Sequence, residues 1–210
     1  RNARINYSQG YQIGGDFKRQ GNEIDAAAVV KGIEDALSGT KPLMPQKAMN
    51  GVLMELKRKV VDGERNKLSK NRREQELQYL ADGKKFLQEN AKKPGVKTTA
   101  SGLQYKIIEP GKGRSPDAAD KVTVNYRGTL INGNEFDSSY KRGQPTTFTL
   151  NGVIKGWTEG LQLINEGGKI QLYIPPELAY GGRGPMAHRT LVFDVELISI
   201  EDNKQAASAQ

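Results

Sequence analysis

Thr190-Leu-Val-Phe-Asp-Val-Glu-Leu-Ile-Ser-Ile200 is the stretch that decides the fold of the larger part of this chain. Leu191, Phe193, Val195 and Leu197 alternate with Val192, Asp194, Glu196 and Ile198, so one face is uniformly apolar while the other mixes apolar and acidic residues. A period of two is what a strand shows when one face lies on a core. Working back from there, 104–108, 122–130, 148–150 and 169–174 also read as strands. Between the last two of these, 157–164 has room for one helix of about two turns. The expectation is an α+β domain, a strongly curved antiparallel sheet wrapping a short helix.

Upstream of Pro94-Gly95 the period changes to that of helices. Ile5, Tyr7, Tyr11, Ile13 and Phe17 recur over 3–20 with spacings of four from Tyr7 to Tyr11 and from Ile13 to Phe17, and Gly10 and Gly14 lie four apart on one face where another backbone can come close. Gly21-Asn22 breaks this helix. Asp25 is placed to cap a second one running to Ser38, whose stripe of Val29, Val30, Ile33 and Leu37 ends at Gly39. After Pro42 and Pro45, the run 46–91 has no proline and is rich in Lys, Glu, Leu, Gln and Arg, all good helix formers. As one helix it would be about 69 Å long. Its ends carry Met49, Val52, Leu53, Leu56 and Val60, then Leu77, Leu80 and Leu87, but between Asp62 and Glu76 only Leu68 is apolar. The middle is a solvated stalk. One continuous rod is the expectation, with a break at Gly63 as the competing reading.

The first ~60 residues present apolar faces that they are too few to cover alone, which predicts a homodimer formed through residues 1–60. A three-helix appendage folded back on itself is the alternative. The division is 1–95 helical, 96–201 the α+β domain and 202–210 a disordered tail.

Composition narrows the function. The chain has 210 residues and a net charge of +8, and the excess sits in the helical part: nineteen Lys/Arg against twelve Asp/Glu up to Gly95, thirteen against twelve beyond it. Both signs interleave at helical spacing over 57–76 with no aromatic side chain for bases to stack on, so the basic stretch reads as a solvated face and no nucleic acid partner is expected. No uncharged stretch approaches the ~18 apolar residues of a membrane span. The first residue is Arg1, with no positive-then-apolar leader, and a processed or trimmed chain is expected. With no cysteine and the single His188, there is no disulfide, thiolate nucleophile, His-pair metal site or Ser-His-Asp triad. Gly181-Gly182-Arg183-Gly184 lacks the preceding strand and following helix of a phosphate cradle and reads as a tight loop. His188 reads as structural.

What remains is aromatic placement: Tyr126, Phe136, Phe148, Trp157, Tyr180 and Phe193 are spread over different strands and loops, with Asp137 beside Phe136. On composition alone this could be an ordinary aromatic core. The surrounding words, in order, are VTVNYRGTL (122–130), GNEFDSSY (133–140), VIKGWTEG (153–160), IPPELAYG (174–181) and TLVFDVEL (190–197). In this order and spacing they closely resemble the FKBP-type peptidyl-prolyl cis/trans isomerases over residues 96–201. The helical part resembles the dimerisation domain of the Mip/FkpA branch, by architecture more than by motif.

The resemblance implies a half-barrel sheet around the Trp157 helix with a hydrophobic pocket between them. Tyr126, Phe136, Asp137, Val153, Ile154, Trp157, Tyr180 and Phe193 match pocket positions, with Trp157 as floor, Phe148 an added wall and Arg142 the basic residue near Asp137. The Ile154 N–H and Tyr180 hydroxyl would bind substrate carbonyls. Two departures stand out. Thr146 follows Pro145 where many relatives carry an aromatic residue, and the 181–189 loop is short and lacks an Ile-Pro-Pro segment, leaving Met186 as the apolar contact.

The implied reaction suits the inventory. Rotation about an X-Pro bond faces a barrier of ~18–20 kcal/mol from amide resonance, and no covalent bond breaks. A pocket that strips water from the carbonyl disfavours the charge-separated resonance form, and placed donors favour the twisted state. No metal or cofactor is needed, and Asp137 reads as an electrostatic element, not a general base. The implied partners are unfolded or Pro-containing polypeptides, with chaperone activity as a dimer carrying one isomerase domain at the tip of each stalk, and macrolide inhibitors. A peptide-binding chaperone with little turnover is the alternative. The implied location is the periplasm or the bacterial cell surface.

Overall fold

The computed structural model describes residues 2–20 and 24–201. The expected break at Gly21-Asn22 and the expected tail at 202–210 lie outside these. The described chain divides between Asn71 and Arg72 into two compact units.

The first unit holds α1 (Asn2–Gln20), α2 (Ala26–Ser38) and the beginning of α3 (Gln46–Asn90). Asp25 caps α2 as expected, its carboxylate accepting the Ala27 and Ala28 N–H groups at 2.9 and 3.1 Å, and Gly39 ends the helix at φ 70°. Most of the apolar stripe of α2 is open: Val30, Ile33 and Leu37 are exposed, Val29 is partly buried and no residue of the helix is fully buried. Helix α3 continues through Gly63 without a break. The ~1 kcal/mol that a mid-helix glycine costs is met by strong helix formers and by ion pairs one turn apart, Lys59–Glu55 at 3.1 Å among them.

In the second unit the end of α3 is followed by β1 (Lys97–Thr98), β2 (Gln104–Glu109), β3 (Lys121–Leu130), β4 (Glu135–Ser138), α4 (Ser139–Arg142), β5 (Thr146–Thr149), α5 (Lys155–Leu161), β6 (Lys169–Ile174) and β7 (Leu191–Glu201). The sheet is antiparallel throughout, in the order β1-β2-β6-β7-β3-β4. β5 also pairs with β3, along residues 121–124, while β4 pairs along 127–129. One edge of β3 is therefore covered by two short strands with α4 inserted between them. Alternation along β7 puts Leu191, Phe193, Val195 and Leu197 in the core, as expected. They meet Val122 and Val124 of β3, Leu172 of β6, and Trp157 and Leu161 of α5.

Helix α5 starts at Lys155, two residues before the expected start, and ends at Leu161. It lies tight on the sheet through two glycines: a Cβ on Gly156 would be 2.5 Å from Ile174 Cγ2, and one on Gly160 2.5 Å from Leu172 Cδ2. The last turns of α3 are bound to the same unit by a buried amide pair. Asn90 donates to the Gln104 Oε1 at 3.0 Å, and Gln104 Nε2 donates to the Leu87 carbonyl at 2.8 Å. None of the described helices is long and apolar enough to cross a membrane.

Candidate active site

Between α5 and the concave face of the sheet lies an open cavity of about 570 Å³. Trp157, only 4% exposed, forms its floor. Four rings stand edge-on in succession: Tyr126 against Trp157 at 5.0 Å and 86°, Trp157 against Phe193 at 5.2 Å and 88°, and Phe193 against Phe136 at 5.6 Å and 85°. Phe148 closes on Trp157 at 5.4 Å. Edge-to-face pairs add about 0.5–1.5 kcal/mol each beyond burial, which favours this arrangement of the walls. Gly128 permits this packing, since a Cβ there would be 2.7 Å from Phe193 and 2.8 Å from Phe136.

The split edge of β3 makes the polar side. Asp137 stands near the end of β4, Thr146 at the start of β5 and Arg142 in the intervening α4. Tyr126 donates its hydroxyl to Asp137 Oδ2 at 2.5 Å, Arg142 reaches Asp137 Oδ1 at 2.5 Å, and Arg142 Nη2 donates to the Tyr126 oxygen at 2.7 Å and to the Thr146 hydroxyl at 3.1 Å. The guanidinium also lies 5.3 Å from the centroid of the Tyr126 ring. Burial alone would raise the Asp137 carboxyl, but hydrogen bonds from Tyr126 and Arg142 and the charge of Arg142 together hold it below the usual carboxylate range. Burial, reinforced by the Asp137 acceptor, pushes the Tyr126 phenol up, with Arg142 opposing. The carboxylate is thus ionised with both oxygens engaged, and the phenol stays protonated.

Of the residues expected from sequence, Tyr126, Phe136, Asp137, Phe148, Val153, Ile154, Trp157, Tyr180 and Phe193 all line this cavity. Tyr180 is nearly half exposed at its rim. Arg142 and Met186 are not among the lining residues: Arg142 sits behind Asp137, and Met186 packs on the edge of the core. Thr146 lines the cavity with a hydroxyl that accepts from Arg142, a role sequence reasoning missed. Lys155, Glu177 and Ala179 also line it, and nothing in their spacing signals this. Gly181 and Gly184 take φ of 56° and 71° in the tight loop beyond Tyr180, and His188 takes 61°.

Two family models match the chain. Residues 2–107 match the domain amino terminal to FKBP-type peptidyl-prolyl isomerase, and residues 112–198 match the FKBP-type peptidyl-prolyl cis-trans isomerase. The FKBP-type isomerase FkpA of Escherichia coli (strain K12) is 43% identical over 192 residues, spanning 90% of this chain and 69% of that protein. The FKBP-type 22 kDa isomerase of the same strain is 44% identical over 203 residues, covering 94% and 95%. The outer membrane protein MIP of Legionella longbeachae is 40% identical over 202 residues, covering 94% and 85%. Among solved structures, the crystal structure of FkpA from Escherichia coli matches with a TM-score of 0.64 at 40% identity, covering 95% of this chain and 94% of that one.

Proposed function

The chain belongs to the FKBP-type peptidyl-prolyl cis-trans isomerases, and from that premise we propose that the cavity over Trp157 takes the proline ring of an X-Pro segment. Asp137, Tyr180, Tyr126, Phe136 and Trp157 carry the catalytic step in this proposal. Val153, Ile154, Phe193 and Phe148 hold the substrate, Met186, which lies outside the cavity lining, supplies an apolar contact from the 181–189 loop, and Arg142 fixes Asp137. The Ile154 N–H and the Tyr180 hydroxyl are the donors for the carbonyls flanking the proline.

The observation that carries this reading is the pairing of an aromatic floor with a polar side held in a closed hydrogen-bonded ring. An apolar floor removes water from the imide and so weakens its charge-separated, planar form, and donors at the rim favour the twisted amide. Asp137 is ionised with each oxygen already accepting a hydrogen bond, so in this proposal it acts through charge and by orienting Tyr126. The test is the cis/trans exchange rate of a Leu-Pro peptide with wild type, Asp137→Ala and Tyr180→Phe, all shown to be folded. We expect acceleration by wild type and loss of about tenfold or more in each variant. Peptide binding without acceleration by wild type would instead favour a chaperone with little turnover.

The proposal extends to assembly and place. The largely open apolar stripe of α2 supports a homodimer through residues 1–60, with two isomerase domains serving unfolded clients as a chaperone. The proposal also extends to macrolide inhibitors, which would occupy the same open cavity over Trp157. The Legionella longbeachae relative is an outer membrane protein, which supports a bacterial envelope location, periplasm or cell surface.

A further inference from the structure

Helix α3 and the loop that follows Tyr180 are joined by two side chains 110 residues apart. Arg189 Nη2 donates to the Tyr79 hydroxyl at 2.6 Å, and its guanidinium lies 3.9 Å from the centroid of the Tyr79 ring. The next residue, Thr190, is 3% exposed and presses its side chain onto Gly83, where any Cβ would collide with the Thr190 hydroxyl. Tyr79 and Gly83 are one turn apart on a single face of α3, so two consecutive loop residues meet two stacked helix positions. This is a clamp on one end of the loop.

The other end of the loop is tied to the same point. His188 donates its N–H to the Gly181 carbonyl at 2.7 Å, and Gly181 donates its own to Pro176 at 2.7 Å. His188 holds a left-handed φ of 61°, found at no other non-glycine among the described residues, a conformation that persists only where its surroundings enforce it. The loop is therefore a ring closed at its base, entered from Tyr180 and left through Arg189. Fixing Arg189 fixes the base of that ring and with it Tyr180, whose side chain lines the proline cavity.

We infer that Tyr79 of α3, acting through Arg189, is a positioning residue for Tyr180. The region that matches the amino-terminal family model thus sets the placement of a side chain in the proline cavity. This rests on the proposal that the Tyr180 hydroxyl binds a substrate carbonyl.

The test measures kcat/KM on a Leu-Pro peptide for Tyr79→Ala, Tyr79→Phe and Arg189→Ala in the full chain, each made in the wild-type and in the Tyr180→Phe background. A cation–π contact and one hydrogen bond are lost, so Tyr79→Ala is expected to lower kcat/KM about threefold to tenfold in the wild-type background. In the Tyr180→Phe background the loss should fall below about twofold, because the group being positioned is gone. Tyr79→Phe keeps the ring beneath the guanidinium and should recover part of the loss. Arg189→Ala should repeat the Tyr79→Ala pattern, and it carries the test if Tyr79→Ala does not fold. Equal losses in both backgrounds, or none in either, would overturn the inference. If Tyr180→Phe alone changes nothing, the substrate role of Tyr180 falls and takes the inference with it.

Discussion

Asp137 is held by two donors that pull in the same direction, which gives the site a pH dependence of known sign. Burial would raise its carboxyl, the contacts with Tyr126 and Arg142 outweigh it, and the native value lies below the ordinary 3.8. The native state therefore releases this proton more readily than the unfolded chain. The stability it contributes is complete above 3.8 and is lost as pH falls through the lowered native value. With 41% of the side chain exposed, solvent screening keeps the contribution small. The melting temperature of wild type should exceed that of Asp137→Asn at neutral pH, and the gap should close on acidification below 3.8. A gap that persists into stronger acid would show that the carboxylate is not its source. Asp137 and its neighbours were legible because five motifs keep their order and spacing. The hydroxyl of Thr146 was not, since it meets Arg142 only when the edge strand splits around α4. The Tyr79–Arg189 contact, between residues so distant in the chain, leaves no local trace at all.

Among the elements, α5 is the one whose position shapes the cavity floor, and its two glycines set how deep it lies. Gly160→Ala would gain up to about 1 kcal/mol of helix propensity. It would also place a methyl 2.5 and 2.9 Å from the two terminal carbons of Leu172, which is fully buried and cannot turn away. Overpacking of this kind costs about 1–3 kcal/mol, so the substitution should lower the urea midpoint of unfolding, with an unchanged slope. A raised midpoint would mean that the sheet yields more easily than its packing implies. The long alternating strands β3 and β7 and the strongly periodic helices could be read directly because burial of one face dictates their pattern. Lys97–Thr98 could not: both residues are exposed, and a two-residue strand shows no period. β4 and α4 are equally short and are formed by pairing with β3 and by Gly143 at φ 74°, not by their own propensity. The sequence offers one short helix over 157–164, and the helix that forms is shifted two to three residues earlier, Lys155–Leu161, with Gly156 inside it and close against Ile174.

For the whole molecule, the question is what covers the apolar faces of the first unit. Ile33 is 50% exposed, so within a single chain Ile33→Asp should change stability by no more than about 0.5 kcal/mol. In a dimer the same carboxylate would be buried against a partner. Sedimentation at micromolar concentration is expected to give twice 23.1 kDa for wild type and 23.1 kDa for Ile33→Asp. A wild-type monomer would remove both the assembly and the avidity that two linked cavities give a weakly bound client. The cavity floor carries one more consequence. Trp157 is the only tryptophan in the chain, so emission excited at the red edge of the absorption band arises wholly from that floor. A proline ring that displaces water from above the indole must alter the colour of that light, and the protein reports its own occupancy without a label.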